Sequence, residues 1–523
     1  MSLKSKCNNT GTVTRREFLA GATLALSTSL FKSTVSAQPA QTHFDSVRRE
    51  IGQAIEKGEA PSIAVAVAVE GKIVWEECFG WADIGKRIPS TPQTRYPIAS
   101  VSKPIVATGL MILAERGLVD LNRPANQYLG AYGKLTGYAG DASAATLRHI
   151  FQHRAGLPLH GQYFYADENY NPPSMDEIIR RYGIIVNPPG ERYNYSNLGY
   201  GILAYISARI SGKSYADYMK TEIFEPLGLT RTSLEIEPQL SQEAVTVYAN
   251  DKTVIPYYVF DEWGSGRVWS TAHDVVRFGM FHLKEHLPDQ KAILKDATID
   301  RMVSDNHSTG TVGGFYGTDW FYGLGWGGRE KSEFGYRWYG HEGGMPGVSG
   351  QLKLFPEKRI AIAVLSNGRQ NLTYGLIDKI ADALLPDYPQ MRKKDPTNGK
   401  RPTSKPFAPT KELLGEWKGE IKTWSGSLPV IMTFQADADI HIKVGDEMKT
   451  LVNGVRFENG RLSGDSLGTI PTSDAMRFPH QLTLNLTLRG DKLSGSVHAL
   501  TTGSRFHYYI PSWITMTKQS ASS

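Results

Sequence analysis

The feature that most constrains the fold is a set of three short motifs that lie far apart in the 523-residue chain. Ser100–Lys103 has the pattern Ser-x-x-Lys, Tyr195–Asn197 is Tyr-Ser-Asn, and His341–Gly343 is His-Glu-Gly. A helix that begins near Ser100 places Lys103 one turn further on the same face, where an amine can exchange a proton with the serine hydroxyl. The fold must therefore bring three distant segments together around a candidate nucleophile, Ser100.

The residues around Ser100 predict a central, buried helix. Residues 101–114 are apolar on nearly every side, and Gly117 ends the segment. The backbone N–H of Ser100 then lies at a helix N-terminus, where partial positive charge stabilises a developing oxyanion. In the alternative, Ser100 only caps the helix and Lys103 is exposed. We disfavour it because Lys103 begins an otherwise apolar helix.

Similar short patterns also occur elsewhere in the chain by chance. Ser29–Lys32 repeats the first motif, Tyr248–Asn250 resembles the second, and Gly464–Gly468 matches the Gly-x-Ser-x-Gly pattern of a different nucleophile. The first lies in the N-terminal leader, no amphipathic helix follows the second, and predicted hairpins surround the third. Only the chosen motifs stand at the element boundaries that their chemistry requires.

Residues 1–37 resemble a twin-arginine export signal. Arg15 and Arg16 precede a weakly apolar run, residues 20–31, and Val35–Ala37 provides the small residues of a cleavage site. The apolar run is too short to span a bilayer. We therefore expect a periplasmic or secreted protein with no stable membrane insertion after leader cleavage. The alternative is an ordinary amphipathic N-terminal helix.

Charge and cysteine content narrow the possible partners. The formal net charge is +6, and removal of residues 1–37 takes away five basic residues and one acidic residue, which leaves about +2. Nucleic acid is therefore not an expected partner. The two cysteines are Cys7, in the leader, and Cys78, so the mature chain has one thiol and no internal disulfide. We expect Cys78 to be buried and unreactive.

Hydrophobic periodicity predicts an α/β fold whose antiparallel sheet is formed by both ends of one domain. The middle of that domain is mostly helical, and a crevice between this helical lobe and the sheet is where we expect the three motifs to meet. The expected elements are a helix at 44–55, hairpin strands at 63–69 and 73–79, helices with long loops over 100–330, hairpin strands at 348–355 and 360–365, and a helix at 372–385.

The composition changes after this domain, which we place at residues 38–388. Residues 389–411 are rich in proline and basic residues and predict a linker. Residues 412–523 contain short alternating segments that are separated by turns such as Glu458–Gly460. That spacing is typical of an antiparallel barrel or sandwich, and the tail contains no convincing catalytic set.

The loop 187–194 delivers Tyr195 and Asn197 to the start of an amphipathic helix that ends at Gly212. With these features the chain resembles the serine β-lactamase and penicillin-binding-protein superfamily. The resemblance is to the class C β-lactamase-like branch, which includes esterases, DD-peptidases and D-aminopeptidases. It covers roughly residues 42–388, and the tail resembles the lipocalin-like barrels that are appended to some of these hydrolases. Further supporting segments are Gln152–Pro158, Phe224–Leu229 and Gly266–Ala272.

The resemblance implies acyl transfer in two steps, without a cofactor. Ser100 attacks a carbonyl carbon while Lys103 and Tyr195 share the hydroxyl proton, with Tyr195 as a phenolate-like base. Asn197 contacts the acyl amide or supports Lys103. The N–H groups of Ser100 and Gly344, the residue after the third motif, form the oxyanion site.

The third motif departs from the family pattern. Lys-Thr-Gly of the β-lactamases is replaced by His341, Glu342 and Gly343, of which Gly343 belongs to the substrate-binding strand. A histidine is mostly neutral at pH 7 and Glu342 adds a negative charge, so binding of a substrate carboxylate should weaken. We expect His341 to be catalytic and the activity to follow its titration between about pH 5 and 8.

Two further groups of side chains have open interpretations. His149, His153 and His160 could form a metal site, which we disfavour because no carboxylate completes a known ligand pattern. The aromatic residues Tyr163–Tyr165 and Tyr170 either line an acyl pocket or pack within a loop.

The expected function is that of an exported serine hydrolase that acts on small-molecule esters or on small amide and D-amino-acid peptide substrates. One alternative is a β-lactamase or DD-peptidase. The other is a penicillin-recognising binding protein that is acylated once without turnover.

Overall fold

A computed structural model describes residues 41–236, 243–309, 320–333, 335–368, 370–395, 406–501 and 508–520. The predicted leader, residues 1–37, lies outside the described residues, and so does the middle of the predicted linker, residues 396–405. From Gln41 onward the described chain belongs to one compact unit. Within these residues, no helix combines the length and the apolar character that crossing a membrane would require.

The helices of the described chain are numbered in sequence order. They are α1 (Asp45–Glu56), α2 (Ser102–Glu115), α3 (Leu147–Phe151), α4 (Met175–Tyr182), α5 (Asn197–Ser211), α6 (Tyr215–Met219), α7 (Trp263–Gly266), α8 (Ala272–His282), α9 (Asp296–Ser304), α10 (Gln370–Leu384) and α11 (Tyr388–Lys394).

The strands of the first part of the chain are β1 (Ser62–Val69), β2 (Lys72–Asp83), β3 (Ile88–Pro89), β4 (Tyr96–Pro97), β5 (Thr136–Gly137), β6 (Gly161–Tyr165), β7 (Ile184–Ile185), β8 (Tyr258–Phe260), β9 (Trp269–Ser270), β10 (His307–Ser308), β11 (Trp320–Tyr322), β12 (Gly327–Arg329), β13 (Trp338–Met345), β14 (Val348–Phe355) and β15 (Ile360–Ser366). Those of the tail are β16 (Gly415–Thr423), β17 (Gly426–Phe434), β18 (Ile440–Val444), β19 (Thr450–Leu451), β20 (Asn453–Glu458), β21 (Arg461–Ser466), β22 (His480–Arg489), β23 (Lys492–Thr501) and β24 (Tyr508–Lys518).

Both ends of the first domain contribute to one antiparallel sheet, with the strand order β10-β11-β12-β13-β14-β15-β1-β2-β3. Strand β1 is buried on both faces, and its side chains alternate with the period of two that strands impose. Ile63, Val65 and Val67 pack in a cluster with residues of α1 and α10. The alanines between them face the opposite side, where their small size lets α8 pack closely against the sheet.

The helical lobe is built around α2. Every residue from Ser102 to Leu113 is buried, and the helix packs against α5 and α7. Gly117, which was expected to end the helical segment, has a φ of +71°, in the region that glycine adopts most easily. The α-helix itself starts at Ser102 because a 3₁₀ turn, Ala99–Val101, precedes it.

The tail forms a nearly closed antiparallel barrel of nine described strands, in the order β19-β18-β17-β16-β24-β23-β22-β21-β20. Inward and outward residues alternate along strands such as β18 and β21. At the seam, Thr450 Oγ1 lies 2.9 Å from Ser466 Oγ. Ser466, the serine of the Gly-x-Ser-x-Gly pattern, therefore serves barrel closure.

The barrel is joined directly to the helical lobe. Strand β24 pairs with β6 through Tyr508–Gln162 and Tyr509–Gly161. The predicted linker begins within α11, where the chain is helical up to Lys394, and Asp395 receives a hydrogen bond of 2.6 Å from Arg329. The helical lobe thus has the sheet on one side and the barrel on another.

Candidate active site

Ser100 lies in the 3₁₀ turn that leads into α2. Ala99, the residue before it, has a φ of +48°, which is strained for a residue with a side chain. Ser100 is only half-buried, whereas its neighbours Ala99 and Val101 are buried. The turn therefore presents the Ser100 hydroxyl at the surface of an otherwise closed core.

Lys103 contacts this hydroxyl from the buried side of the turn. Its side chain is fully buried, and Nζ donates hydrogen bonds to Ser100 Oγ at 2.9 Å, to Asn197 Oδ1 at 2.8 Å and to the Ser265 carbonyl oxygen at 3.0 Å. Burial lowers the pKa of Lys103 to about 7, and the carboxylate of Glu262 opposes that shift. An amine with this pKa can hold or release a proton near neutral pH.

Tyr195 supplies a second contact to the same hydroxyl. Its OH donates to Ser100 Oγ at 3.0 Å, and Lys103 Nζ lies 4.9 Å from the centre of its ring. Ser196 fixes the entry into α5, because its hydroxyl accepts a hydrogen bond from Gly199 N. The order Tyr-Ser-Asn therefore places a phenol, a helix cap and an amide in three different roles.

The third motif lies on β13, which runs past the backbone of Ser100. Strand β12 pairs with β13 only over Trp338–Gly340, and beyond this the strand approaches the turn at Ser100. A Cβ atom on Gly343 would lie 2.4 Å from the Ile98 carbonyl oxygen and 3.0 Å from Ser100 N. Only glycine allows this approach, and the next residue, Gly344, is exposed.

His341 is fixed as a neutral imidazole. Its Nδ1 donates to the Glu342 carbonyl oxygen at 2.7 Å, and Nε2 accepts from Tyr322 OH at 2.9 Å. Burial, with the positive charge of Lys103 nearby, lowers the pKa of His341 to about 3. The expectation that His341 titrates between pH 5 and 8 is therefore wrong, because the sequence could not indicate how deeply this ring is buried.

Glu342 does not place its charge beside Ser100. Successive side chains of a strand point to opposite faces, so Glu342 lies on the face opposite to Gly343. There, burial raises the pKa of the Glu342 carboxyl, while a hydrogen bond with Tyr374 and the charge of Lys353 lower it. The positive charge of Lys353 offsets part of the negative charge of Glu342, so the repulsion that we expected between Glu342 and a substrate carboxylate is weaker.

The three histidines considered as a metal site lie in three different environments. His149 Nδ1 donates to the Ala144 carbonyl oxygen, and His160 Nε2 lies 2.8 Å from Asp261 Oδ2. His153 is buried beside the active site, where its ring centre is 4.3 Å from that of Tyr195. Its Nδ1 accepts from Ser196 N, so the ring also orients the second motif.

Sequence reasoning named His160 but missed the two carboxylates beside it, Asp261 and Glu262, the second of which lies close to Lys103. His160, Asp261 and Glu262 are each at most 2% exposed, and within the described chain they offer a nitrogen and two carboxylates within 4.8 Å of one another, a spacing at which a cation could be held. Protein hydrogen bonds already engage both carboxylates, since His160 pairs with Asp261 and Ser265 Oγ donates to Glu262 at 2.9 Å. Within the described chain, two buried atoms of the cluster, Glu262 Oε1 and His160 Nδ1, have no hydrogen-bond partner.

Two other side chains near the site also escaped sequence reasoning. Tyr200 lies one turn after Asn197 on α5, a spacing that could have indicated it, and its ring centre is 5.6 Å from Lys103 Nζ. Tyr322, the partner of His341, follows no recognisable pattern in the sequence.

The aromatic residues of β6 pack against neighbouring segments. Phe164 stacks on Tyr170, and the guanidinium of Arg477, from the barrel, lies over both rings at 4.3 and 4.8 Å. Tyr163 contacts Tyr258 and Phe260 of β8. This arrangement favours the packing interpretation over the acyl pocket.

Two cavities border the site and offer room for a substrate. One of about 640 Å³ is lined by Tyr195, Tyr322 and His341, by other aromatic residues, and by charged residues that include Glu342 and Lys353. The other, of about 270 Å³, is lined mostly by apolar residues and includes Gly266 and Met345.

Comparison with known proteins agrees with this architecture. The chain is 28% identical over 362 residues to penicillin-binding protein 4* of Bacillus subtilis, a match that covers 63% of this chain and 75% of the relative. It is 27% identical over 372 residues to unguisins hydrolase ungD' of Aspergillus campestris, which covers 67% of each.

Solved structures show the same fold at lower identity. A structure of SurE has a TM-score of 0.60 and 20% identity, covering 91% of this chain and 99% of that one. A class C β-lactamase has a TM-score of 0.55 and 18% identity, covering 66% and 96%. The predicted fold class, a β-lactamase-like antiparallel sheet with helices followed by an all-β barrel, is confirmed. The beta-lactamase family model matches residues 47–386, and the chain therefore belongs to this family, whose members are mostly serine hydrolases.

Proposed function

We propose that this chain is a serine hydrolase that forms an acyl-enzyme on Ser100 with ester or small amide and D-amino-acid peptide substrates. The observation that supports the proposal most directly is the pair of hydrogen bonds to Ser100 Oγ, from Lys103 Nζ at 2.9 Å and Tyr195 OH at 3.0 Å. A hydroxyl needs an adjacent base to become a nucleophile, and each of these two groups can receive its proton once it has lost its own.

In the proposed reaction, Lys103 as a neutral amine or Tyr195 as a phenolate accepts the proton of Ser100 Oγ, which attacks the substrate carbonyl carbon. The same group then gives this proton to the leaving group. The oxyanion is stabilised by the N–H groups of Ser100 and Gly344, on the edge of β13 next to the turn. Asn197 keeps Lys103 in place and contacts the acyl group. Water, activated by the same base, then cleaves the acyl–Ser100 bond, and the acid leaves.

The substrate preference rests on the third motif. His341 is neutral and hydrogen-bonded on both nitrogens, so it gives no fixed positive charge to hold a free carboxylate. Esters and small amides do not need such a charge. One relative is named as a hydrolase of unguisins and another as a penicillin-binding protein, and both names fit acyl transfer at a serine.

The name of penicillin-binding protein 4* also supports two alternatives for this chain. The first is a β-lactamase or DD-peptidase, and the second is a binding protein that penicillin acylates without turnover.

We further propose export to the periplasm or beyond through residues 1–37, on the basis of Arg15, Arg16 and the apolar run after them. Replacement of both arginines by lysine should leave the protein in the cytoplasm, as fractionation would show. Unchanged export would refute a twin-arginine signal.

The nucleophile is tested by intact-protein mass spectrometry after exposure to a p-nitrophenyl phosphonate. Turnover of p-nitrophenyl acetate, nitrocefin and D-Ala-p-nitroanilide is recorded in parallel. We expect one phosphonyl group on the wild type and none on Ser100→Ala. Ser102→Ala is the matched control, because Ser102 lies two residues away and its hydroxyl accepts a hydrogen bond from Val268 N.

Each outcome distinguishes between the proposals. Loss of both labelling and turnover in Ser100→Ala, with both retained in Ser102→Ala, supports the nucleophile, and the preferred substrate selects among esterase, peptidase and β-lactamase. Labelling without turnover of any of the three substrates favours the binding protein. Labelling of Ser100→Ala at the wild-type rate would refute the assignment.

A further inference from the structure

The buried ammonium group of Lys103 is surrounded by uncharged acceptors. Its three hydrogen-bond partners are a hydroxyl, an amide oxygen and a backbone carbonyl oxygen. A buried charge is costly unless an opposite charge compensates it. The source of that compensation decides how tightly Lys103 holds its proton.

Glu262 is placed to provide the opposite charge. It is the residue that precedes α7, its side chain is fully buried, and Ser265 Oγ donates to its Oε2 at 2.9 Å. The carbonyl oxygen of the same Ser265 accepts from Lys103 Nζ at 3.0 Å. One residue, Ser265, therefore connects the ammonium group and the carboxylate.

The close packing of α5 on α7 keeps this connection short. A Cβ atom on Gly201 would lie 2.9 Å from Glu262 Cβ, and one on Gly264 would lie 2.2 Å from the Tyr200 carbonyl oxygen. Larger residues at either position would separate the two helices. The glycines thus hold the carboxylate at the base of the active site.

Other ionisable groups also face this pair. Those around Lys103 come from the residues next to α3, from α5 and the residues before it, and from β13: His153, Tyr195, Tyr200 and His341. Those around Glu262 come from β6 and the residue before it and from the residues before α7: His160, Tyr163 and Asp261. His498, on the barrel strand β23, interacts electrostatically with His160.

Asp261 is already paired with His160 at 2.8 Å, whereas Glu262 Oε1 lies 3.9 Å from the same nitrogen. His153 and His341 both have pKa values held well below the usual range by burial, so they remain neutral near pH 7. Among these groups, Glu262 is the one whose negative charge raises the pKa of Lys103.

We propose that Glu262 is a positioning residue that sets the proton affinity of Lys103 through its charge, with Ser265 as the connection between them. The inference rests on the proposed acyl transfer at Ser100. Burial raises the pKa of Glu262 and lowers that of Lys103 to about 7, while each charge opposes the shift of the other. Loss of the carboxylate removes a favourable charge interaction, so Lys103 must release its proton at lower pH.

The experiment measures the second-order rate of phosphonate labelling from pH 5 to 9.5. Wild type, Glu262→Gln and Glu262→Asp are compared, with Asp274→Asn as the matched control. Asp274 is also a buried carboxylate, but it binds Arg231 N and Thr232 at the start of α8. Thermal unfolding and metal content by mass spectrometry are recorded for every variant.

We expect the limb of the pH profile that Lys103 governs to move down by about one pH unit in Glu262→Gln. It should lie close to its wild-type position in Glu262→Asp and in Asp274→Asn. If Glu262→Gln does not fold, Ser265→Ala serves instead. Loss of its hydroxyl destabilises the carboxylate, so the same limb should move in the same direction by a smaller amount.

Two results would overturn the proposal. In the first, the rate falls at every pH while the limb stays in place, which would indicate a structural role. In the second, one equivalent of a divalent metal is bound by the wild type and lost in Glu262→Gln. Failure of the proposed function itself would look different, because the wild type would then not be labelled at Ser100 at all.

Discussion

Two fully buried carboxylates, Asp474 and Glu262, show how differently two regions of this molecule treat charge. At the joint between barrel and helical lobe, Asp474 accepts two hydrogen bonds from Arg181 Nη1, at 2.9 and 3.0 Å, one from Tyr170 OH at 2.6 Å, and one from Tyr182 OH. At the active site, Glu262 accepts a hydrogen bond from Ser265 Oγ. The cation Lys103 donates to the carbonyl oxygen of the same Ser265, so Ser265 lies between the two charges.

The different surroundings of these two carboxylates distinguish a buried charge that stabilises the fold from one that adjusts a catalytic group. At the joint, a guanidinium and two phenols surround the Asp474 carboxylate, so its charge is compensated on the spot and stabilises one arrangement. At the active site compensation is incomplete, and burial moves the pKa of Lys103 to about 7 and that of His341 to about 3. A proton-transfer group is most effective when its pKa is close to the working pH. Of Lys103 and His341, only Lys103 has such a pKa.

The largest expected effect comes from a tyrosine in each region. Tyr195→Phe removes the phenol that contacts Ser100, and the labelling rate should fall about 10³-fold, as for loss of a general acid–base group. Tyr170→Phe removes a hydrogen bond to Asp474 and should leave the rate unchanged while it lowers the free energy of unfolding by about 1 kcal/mol. Phosphonate labelling and urea unfolding measure the two quantities. Equal losses of rate would show that the regions are not distinct.

The next effect concerns stability alone. Asp474→Asn removes the charge that accepts hydrogen bonds from Arg181 and two phenols, although Arg181 keeps its ion pair with Glu177 at 2.6 Å. The free energy of unfolding should fall by about 2 kcal/mol. The labelling rate per folded molecule should stay at the wild-type value, because Asp474 binds Tyr170, Arg181 and Tyr182, and in the described chain none of these binds Ser100. Asp491→Asn, on an exposed turn of the same barrel, is the control and should leave both quantities unchanged. A large loss of rate in Asp474→Asn would mean that the joint controls the catalytic site.

A smaller effect is expected from Gly343→Ala, which tests the placement of β13. The added methyl group would meet the Ile98 carbonyl oxygen at 2.4 Å and displace the strand from Ser100. Misplacement by about 1 Å should reduce the labelling rate by about 10²-fold. Gly375→Ala, on α10 with no heavy atom within 4 Å of the new Cβ, should retain the rate. An unchanged labelling rate in Gly343→Ala would contradict the assignment of β13 to the oxyanion site.

Local pattern was enough to predict the motifs and the elements that present them. The strand alternation of β1 and the apolar run after Ser100 follow from periodicities of two and 3.6 residues, which are properties of neighbouring residues. Glu262 and Tyr322 could not be predicted in this way. They reach the site only because α7 packs on α5 and β11 lies in the same sheet as β13, and packing between distant segments leaves no periodic signal in one sequence.

Burial also explains why the titration range predicted for His341 was wrong. From the sequence, a histidine has its ordinary pKa near 6.5, and the motif suggested a group that changes charge at working pH. In the structure, two hydrogen bonds and a buried setting keep the ring neutral. His341 therefore belongs with the groups that are fixed in one protonation state, although it lies in the catalytic region.

The smallest effect follows from this assignment. His341→Gln should lower the labelling rate by about tenfold, through loss of hydrogen bonds that position β13 and Tyr322, and leave the midpoint of the pH profile in place. A midpoint that moves would restore His341 as the titrating group. Glu262→Gln is the contrasting variant, since there the midpoint should move.

The same substitution has a pH signature in stability. The folded pKa of His341, about 3, is lower than that of an unfolded histidine, near 6.5, so the unfolded chain binds the extra proton first as pH falls. The contribution of the neutral ring is complete above about pH 6.5 and is lost progressively toward pH 3. A glutamine side chain cannot titrate, so the stability difference between wild type and His341→Gln should shrink as pH falls from 7.5 to 4.5. Urea unfolding at several pH values measures it, and a constant difference would mean that the ring titrates normally when folded.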